Sequence, residues 1–412
     1  MSDGFLFVSP PLAGHVNPMA SVAGELAARG HRVAWAGSEA YLRPRLGPHA
    51  VIHPIPMRVH RGGAERGLAA TKSRWQGYIA PHAAATRSGI DGAVRAFRPG
   101  VLVVDQHAVA GAIAAHRHAL PWASMATTTM ELTRPYRGLP LVEAWIRAQM
   151  AAIWTAAGMP GEPPHDLRFS PHLVISFLDA GLAGARVPGT GVAGLAPGEP
   201  LWPDNTVLVG PALPHRLPAA DFPWEWLDPG RRHVLVTVGT LALGFADDFY
   251  RRMTEALRPL GDRLQAIVVA PETMVPDPSE HVMARPTVPV LELMPRLDAV
   301  VCHAGVNTVC EALAHAVPLV LAPVRSDQPI TAAQVEAAGA GIRVRFDGTP
   351  PERLRTALLT VLDDPSYRAA AGRVRESFRA AGGAPAAADH LEALARRHAV
   401  SRRRERSAEG AA

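Results

Sequence analysis

The sequence predicts an α/β protein made of two doubly wound, Rossmann-like domains. The chain has 412 residues, which exceeds what one ordinary core accommodates and suits two domains of about 200 residues each. Apolar runs typical of buried strands alternate with amphipathic helical patterns in both halves, and a proline-rich stretch lies between them. We therefore expect an N-terminal domain at residues 1–214, a linker at 215–231 and a C-terminal domain at 232–400.

The N-terminal half opens with a β-α-β pattern. "FLFVSP" is typical of a buried strand, "MASVAGELAARG" of an amphipathic helix that ends at Gly30, and "HRVAWAG" of a second strand. The apolar runs "GVLVVD", "PWASMA" and "HLVISF" are expected to add strands to the same parallel sheet. Residues 55–90 show an irregular pattern, whereas residues 140–157 show a helical one.

The alternation restarts after residues 211–232, which carry five prolines and no sustained periodicity. The runs "HVLVTVG", "LQAIVVA", "LDAVVCH" and "PLVLAP" predict the strands of a second parallel sheet, with a helix through "FADDFYRRMTEAL". The last helix is a candidate to pack back on the N-terminal domain. Residues 401–412 are expected to be a basic, disordered tail.

The composition favours a soluble, unexported, cytoplasmic protein. Hydrophobic residues make up 48% and charged residues 19% of the chain, without a membrane-spanning apolar run or a basic, apolar leader. Cys302 and Cys310 fall in apolar patterns and are expected to be reduced core residues. The net charge of +5 comes from scattered residues rather than a basic face, so we expect neither nucleic acid nor a membrane as a partner. A homodimer stays open.

Polar side chains cluster in an otherwise apolar stretch at residues 303–329. The strand "LDAVVC" is followed by His303, and Gly305 allows a tight turn into a helix whose first turn holds Asn307 and Thr308. The unpaired N–H groups and the dipole of a helix N-terminus favour an anion, and Asn307 and Thr308 add side-chain donors. This pattern predicts a phosphate site.

A sugar site is predicted next to it. Glu311 lies one turn beyond Asn307 on the same helix face, where a carboxylate accepts hydrogen bonds from a ribose but repels phosphate. Asp327 and Gln328 follow the next strand, and a carboxylate beside an amide suits a second polyhydroxyl group. Each residue alone is more often a cap, a surface group or a turn former. Their combination at these spacings favours a nucleoside diphosphate sugar.

On these residues the sequence resembles the UDP-glycosyltransferase superfamily, over essentially the whole chain. The resemblance implies the two-domain GT-B fold, with the two domains facing a cleft. It also implies that His303, Asn307 and Thr308 contact the donor diphosphate, Glu311 the ribose, and Asp327 with Gln328 the transferred sugar. The motif that carries the resemblance consists of His303, Gly305, Asn307, Thr308, Glu311, Asp327 and Gln328.

Two further segments bear on the donor. "VTVGT" is similar to the family's Ser/Thr-x-Gly-Thr/Ser loop, which implies that Thr237, Gly239 and Thr240 lie near the donor phosphates. Many members place a Pro-Gln pair against the nucleotide base, where this chain has Pro289-Val290, next to Val288, which we also assign to the donor site. In addition, Val306 stands where plant members have Trp. Uridine and thymidine donors both stay open.

The expected catalytic pair comes from the N-terminal sheet. His15 follows the first strand in "PPLAGHVNP", where Gly14 is expected to let the backbone turn beside the donor and Pro18 to start a helix. A lone histidine here is more often structural, but the family's Gly-His loop supplies the general base. Asp105 ends the strand "GVLVVD" and is expected to orient the imidazole and stabilise its cation.

The implied reaction is a single displacement with inversion, in which the acceptor oxygen attacks the anomeric carbon and the diphosphate leaves. No Asp-x-Asp motif is present, and the acidic pairs Asp247-Asp248 and Asp363-Asp364 lie in ordinary helix or turn patterns. We therefore expect neither a metal nor a cofactor, because the nucleotide sugar is a co-substrate.

The acceptor is expected to be a hydrophobic or aromatic small molecule. Aromatic and methionine side chains concentrate in residues 55–160, the part of the family's N-terminal domain that lines the acceptor cleft, although helical spacing assigns about half of them to the core. With Lys72 as the only lysine, the composition indicates a GC-rich genome and favours a bacterial natural-product enzyme. The candidate side chains are Trp75, Tyr78, Trp122, Met125, Met130, Tyr136, Trp145, Met150 and Trp154.

Three alternatives were weighed against this interpretation. A nicotinamide dehydrogenase requires Gly-x-Gly-x-x-Gly after the first strand, and only Gly14 is present there. A non-catalytic GT-B partner of another glycosyltransferase has no need to keep His15, Asp105 and the whole donor set. A sugar epimerase of the same fold would isomerise a sugar nucleotide without an acceptor.

Overall fold

The computed structural model contains two parallel sheets, each with helices on both faces. It describes residues 3–57, 65–128, 132–133, 135–183, 203–213, 221–239, 244, 246–275 and 279–409. No helix among these residues is long and apolar enough to cross a membrane.

Within the described residues, the first sheet has seven parallel strands: β1 (Gly4–Val8), β2 (Arg32–Gly37), β3 (Ile52–Pro54), β4 (Val101–Asp105), β5 (Trp122–Ala126), β6 (Val174–Ser176) and β7 (Thr206–Leu208). They lie in the order β3-β2-β1-β4-β5-β6-β7. The helices of this half are α1 (Ala13–Ala28), α2 (Glu39–Leu46), α3 (Gly67–Arg74), α4 (Ala80–Phe97), α5 (Val109–Arg117), α6 (Pro140–Ala156) and α7 (Ala180–Ala183).

The second sheet, in the part of the chain that the structure describes, has six parallel strands: β8 (Arg232–Thr237), β9 (Leu264–Val269), β10 (Val282–Arg285), β11 (Ala299–Cys302), β12 (Leu319–Leu321) and β13 (Gly341–Arg343). Their order is β10-β9-β8-β11-β12-β13. The helices of this half are α8 (Asp247–Leu257), α9 (Val290–Leu293), α10 (Val306–Ala314), α11 (Gln328–Ala337), α12 (Pro351–Asp363), α13 (Pro365–Ala381) and α14 (Gly383–Glu409).

The central strands are buried on both faces, which explains their continuous apolar runs. In β1, Leu6 and Val8 face one core cluster, which includes Ile90 of α4 and Ile113 of α5. Phe5 and Phe7 of the same strand face a second cluster on the opposite side of the sheet, which α1 and α14 complete. This is the predicted doubly wound arrangement, and the α/β fold class is confirmed.

The strand order reverses once in each sheet, between β1 and β4 and between β8 and β11. Val8 pairs with Val104 in the first sheet, and Thr237 pairs with Cys302 in the second. The loops that follow these four strands therefore diverge around a crevice in each domain. In open parallel sheets such a crevice is where ligands bind.

The last helix joins the N-terminal domain. Leu391 and Leu394 of α14 are almost fully buried in the cluster that contains α1, and Arg29, the C-cap of α1, donates to Asp389 at 2.6 Å. The helix continues to Glu409, through residues that the sequence assigned to a disordered tail.

Some expectations about local structure were wrong. Residues 55–90, expected to be irregular, contain α3, a π-helical turn at Trp75–Ile79 and most of α4. The many alanines and glycines of this segment dilute its 3.6-residue apolar period. The strands β3, β7, β10 and β13 were missed because they are the edge strands of the two sheets, and most of their residues are only partly buried or exposed.

Candidate functional site

A buried histidine–carboxylate pair lies at the crevice of the N-terminal sheet. Nδ1 of His15 lies 2.9 Å from Oδ2 of Asp105, and the two side chains are 9% and 0% exposed. The other carboxylate oxygen of Asp105 accepts from the backbone N–H of His107 at 2.8 Å. The fold thus brings together two residues that are 90 positions apart in the chain.

Asp105 is held in its ionised form. Burial alone opposes ionisation, but the charge of His15, its hydrogen bond, the nearby His107 and the hydroxyl of Thr127 together lower the pKa of the Asp105 carboxyl below its usual range. An ionised Asp105 accepts the Nδ1–H of His15, which leaves the lone pair of the ring on Nε2.

His15 lies in the first turn of α1 rather than in the loop before it. The helix begins at Ala13, with Leu12 as its N-cap, so Pro18 lies inside the helix and does not start it. Gly14 has an ordinary helical φ, and a Cβ added there would meet no atom within 4 Å. The expected turn at Gly14 is therefore absent, and this exposed glycine instead leaves open space beside His15.

His107 adds a third titratable group. Its ring centroid lies 4.9 Å from that of His15, and the potential ligand atoms of His15, Asp105 and His107 lie within 4.8 Å of one another. A metal ion at this place would have to replace the hydrogen bond between His15 and Asp105. The arrangement suits an oriented base.

In the C-terminal domain, His303 lies between two glycine-containing loops. Gly239 has φ +70°, and a Cβ added there would lie 2.6 Å from Cε1 of His303. A Cβ on Gly305 would lie 2.6 Å from Nε2 of the same ring. The left-handed residue of the turn is Ala304, with φ 63°, so Gly305 is required by the close approach of the ring and not by the turn.

His303 is suited to an anionic ligand. Burial lowers its pKa to about 4, and nearby Arg325 acts in the same direction. Nδ1 of His303 is buried and has no partner among the described residues. Next to it, Thr237 ends β8 and its Oγ1 accepts from the N–H of Gly239 at 3.3 Å. Thr240 lies outside the described residues.

The first turn of α10 faces the N-terminal domain. Gly305 is its N-cap, so Asn307 and Thr308 stand in the first turn as expected, and Glu311 is 4% exposed one turn further. Asn307 and Glu311 line one small cavity together with Asn17 and Thr127 of the N-terminal domain. The two crevices therefore meet across this cavity.

Asp327 and Gln328 form the start of α11 in the loop after β12. Asp327 is the N-cap of α11 and is half-buried. Oε1 of Gln328 accepts from the backbone N–H groups of Val324 at 2.9 Å and Arg325 at 3.0 Å. The accepting side of Gln328 thus holds the loop together, and Nε2 is the part of its amide that can donate.

Val288 lies at a second, larger groove between the domains. Thr287, Val288 and Val290 line it from the C-terminal side, and α1 lines it from the N-terminal side, where Asn17 belongs to both this groove and the small cavity. Val288 is thus near the crevice but is not among the residues that line the small cavity.

Most of the expected acceptor residues belong to the core. Tyr136 and Trp145 are only partly buried and pack against the core cluster, while Met130 lies outside the described residues. The remaining six are at most 7% exposed: Trp75, Tyr78, Trp122, Met125, Met150 and Trp154. Helical spacing had assigned only about half of the set to the core.

Three residues near the two crevices were not identified from the sequence. The hydroxyl of Thr127 contacts both members of the buried pair. His82 is 7% exposed, and neither ring nitrogen has a partner among the described residues. Arg325, in the loop after β12, is half-buried beside His303. No short motif marks any of them, and the residues that Thr127 contacts are distant in sequence.

The chain is similar to known glycosyltransferases over nearly its whole length. Residues 265–394 match the family described as erythromycin biosynthesis protein CIII-like, C-terminal domain. The chain is 28% identical over 428 residues to 4'-demethylrebeccamycin synthase of Lentzea aerocolonigenes, a match that covers 96% of this chain and all of that protein. It is 28% identical over 407 residues to demethyllactenocin mycarosyltransferase of Streptomyces fradiae, covering 93% and 85% of the two chains.

A solved structure shows the same two-domain architecture. The glycosyltransferase VinC in complex with dTDP superimposes with a TM-score of 0.75 at 18% identity, covering 96% of this chain and all of that one. The predicted resemblance, the GT-B fold and the enzyme class are thereby confirmed.

Proposed function

We propose that the protein is an inverting glycosyltransferase that moves a sugar from a UDP- or dTDP-activated donor to a hydroxyl group of a hydrophobic small molecule. One observation supports this most strongly. The buried His15–Asp105 pair stands at the crevice of one sheet, and the first turn of α10 faces it from the crevice of the other across the cavity that Thr127 and Asn307 line.

The chemistry follows from this arrangement. Nε2 of His15 removes the proton of the acceptor hydroxyl as its oxygen attacks the anomeric carbon. The bond to the diphosphate breaks in the same step, so the configuration at that carbon inverts. Asp105 stabilises the imidazolium that forms, and the N–H groups at the start of α10 stabilise the charge of the leaving diphosphate.

The phosphates are assigned to the loops around His303. The buried Nδ1 of His303 and the side-chain donors of Asn307 and Thr308 at the start of α10 follow the carboxyl end of β11, which pairs with that of β8. We add Arg325, because its guanidinium lies close enough to lower the pKa of His303. Thr237 and Gly305 shape this site, and Thr240 is assigned to it by sequence alone.

The sugars are assigned to carboxylates. Glu311 is expected to accept hydrogen bonds from the ribose, since it lies one helical turn from the phosphate donors. Asp327 accepts from the transferred sugar, and Gln328 donates to it through Nε2. The nucleotide base is placed near Val288. Gly14 is expected to lie against the donor, because it leaves open space beside His15, the proposed general base.

The names of similar proteins suggest the substrates. The solved structure of VinC contains dTDP, and two relatives are named 4'-demethylrebeccamycin synthase and demethyllactenocin mycarosyltransferase. A thymidine diphosphate sugar and a natural-product acceptor are therefore our first choice. A cytoplasmic location, a homodimer and independence of metal stay predictions.

Isothermal titration calorimetry with UDP and dTDP tests the donor assignment, and mass spectrometry of mixtures with each nucleotide sugar and 2-naphthol tests transfer. We expect one or both diphosphates to bind, ADP to bind more weakly, and the naphthyl glycoside to form in the presence of EDTA. A protein that binds no pyrimidine diphosphate is not the proposed enzyme. Binding without transfer to any hydroxyl acceptor would instead favour a non-catalytic partner.

A further inference from the structure

The hydroxyl of Thr127 closes a triangle with the proposed base and its carboxylate. Its Oγ1 lies 2.8 Å from Nδ1 of His15 and 2.7 Å from Oδ2 of Asp105, which are themselves 2.9 Å apart. Thr127 follows β5 directly, is 4% exposed, and is fixed by a 3.1 Å hydrogen bond from its N–H to the carbonyl of Met125.

Counting protons selects one arrangement of this triangle. The ionised carboxylate of Asp105 only accepts, and a threonine hydroxyl has a single proton to donate. If that proton points to His15, both contacts of Oδ2 become repulsive contacts between lone pairs. If it points to Asp105 and Nδ1 carries a proton, that N–H is shared between Oδ2 of Asp105 and Oγ1 of Thr127, and all three contacts are attractive. Of the two neutral tautomers of His15, only the one whose lone pair is on Nε2 therefore satisfies the triangle.

The donated hydrogen bond also disperses the charge of Asp105. A carboxylate that accepts hydrogen bonds from Thr127 and from the N–H of His107 attracts a proton less strongly. Asp105 therefore stabilises a cationic His15 less than it would in an isolated pair. A general base acts only in its unprotonated form, which makes this weakening useful near neutral pH.

We propose that Thr127 is a positioning residue of the transferase reaction. It holds His15 in the tautomer whose lone pair is on Nε2, and it keeps His15 neutral at neutral pH. This inference rests on the proposed function. Thr127 is also part of the wall that faces Asn307 and Glu311 across the small cavity, so it acts next to the place assigned to the donor.

The test uses Thr127→Val, which keeps the branched shape and removes the hydroxyl, and Thr127→Ser, which keeps the hydroxyl. Transfer to 2-naphthol is measured from pH 5.5 to 9. We expect Thr127→Val to lose about tenfold or more in kcat/KM at pH 7. The acidic limb of its pH–rate profile should move to higher pH, and at pH values above that limb the variant should recover part of the lost activity. Thr127→Ser restores the wild-type profile.

Thr254→Val is the matched control. Thr254 is 3% exposed, and its hydroxyl donates to the carbonyl of Tyr250 at 2.9 Å inside the C-terminal domain. This variant loses a buried hydrogen bond of the structural kind, so its pH profile is expected to match that of the wild type. A Thr127→Val profile that keeps its wild-type shape, whether its height falls or not, overturns the proposal.

A second measurement does not depend on turnover. Nitrogen-15 NMR of histidine-labelled protein reports which ring nitrogen carries the proton, and His15→Ala identifies the signal. We expect the Nε2 lone-pair tautomer in the wild type and a mixture in Thr127→Val. The same tautomer ratio in both proteins refutes the role of Thr127, whereas the expected shift in a protein that transfers no sugar would leave Thr127 in place and refute the proposed reaction.

Discussion

Replacing Gly239 with alanine is expected to damage the diphosphate site in two separable ways. The residue has φ +70°, a conformation that costs an L-residue about 1–2 kcal/mol. The new Cβ would also lie 2.6 Å from Cε1 of His303. The ring cannot move aside freely, because Gly305 closes in on its Nε2 from the other loop. Overpacking of this kind costs about 1–3 kcal/mol, so we expect a total of about 3 kcal/mol.

Two other glycines separate these causes. Gly348 has φ +72° and open space for a Cβ, so Gly348→Ala carries only the backbone strain, partly offset by the lower entropy of the unfolded chain, and is expected to cost about 1 kcal/mol. Gly305 has φ −65° and a close ring, so Gly305→Ala carries only the clash. Urea unfolding gives the three stabilities, and calorimetry gives the affinity for UDP and dTDP.

We expect Gly239→Ala to be the least stable of the three variants, and both Gly239→Ala and Gly305→Ala to bind the diphosphate more weakly than Gly348→Ala. If Gly239→Ala is as stable as Gly348→Ala and binds the diphosphate like the wild type, the packing of His303 between the two loops is wrong.

Three further predictions concern the donor and the buried histidines. Glu311→Ala should weaken the binding of free diphosphate by about 1–3 kcal/mol. Asp327→Ala should impair sugar transfer and leave the affinity for diphosphate nearly intact, and equal losses of diphosphate affinity in calorimetry contradict the assignment. Because burial lowers the pKa of His82 from 6.5 to about 4, the unfolded chain takes up this proton first. This contribution of His82 should lower the free energy of unfolding by about 3 kcal/mol between pH 7 and pH 4. Urea unfolding of His82→Phe should show a smaller decrease over this range, and a pH dependence equal to that of the wild type contradicts the prediction. The low pKa of His303 should rise beside a bound diphosphate, so binding should take up protons and tighten as pH falls relative to His303→Asn; calorimetry in two buffers that shows no uptake refutes that contact.

The fold was predictable because its signals are long. The central strands β1, β4, β8 and β11 are buried on both faces, so each shows as an apolar run that ends at a polar residue. Edge strands such as β3, with three residues of which none is fully buried, have no such signal. The start of α1 was missed because Pro18 suggested a helix start and instead lies within the first two turns.

The site was predictable where a residue follows a central strand. His303 and Asp105 could be placed from strand ends alone. Thr127 could not, because its partners lie 112 and 22 positions away and only the parallel register brings the ends of β1, β4 and β5 together. His82 was missed for a different reason, since the segment around it was expected to be irregular and the π-helical turn at Trp75–Ile79 precedes it. Why residue 305 is a glycine could be explained only from the position of the His303 ring in the structure.

The rate at which His15→Ala transfers sugar to a hydroxyl acceptor at neutral pH tests the central claim most directly. General-base catalysis supplies about 100-fold to 10,000-fold, so we expect a loss of that size with 2-naphthol, unchanged affinity for the diphosphate, and a smaller loss with 4-nitrophenol, which arrives partly deprotonated. Asp105→Asn should lower the rate as well, and the two losses should not multiply in the double variant. A His15→Ala protein that transfers sugar to 2-naphthol as fast as the wild type would contradict the account, because the proton would then leave by another route.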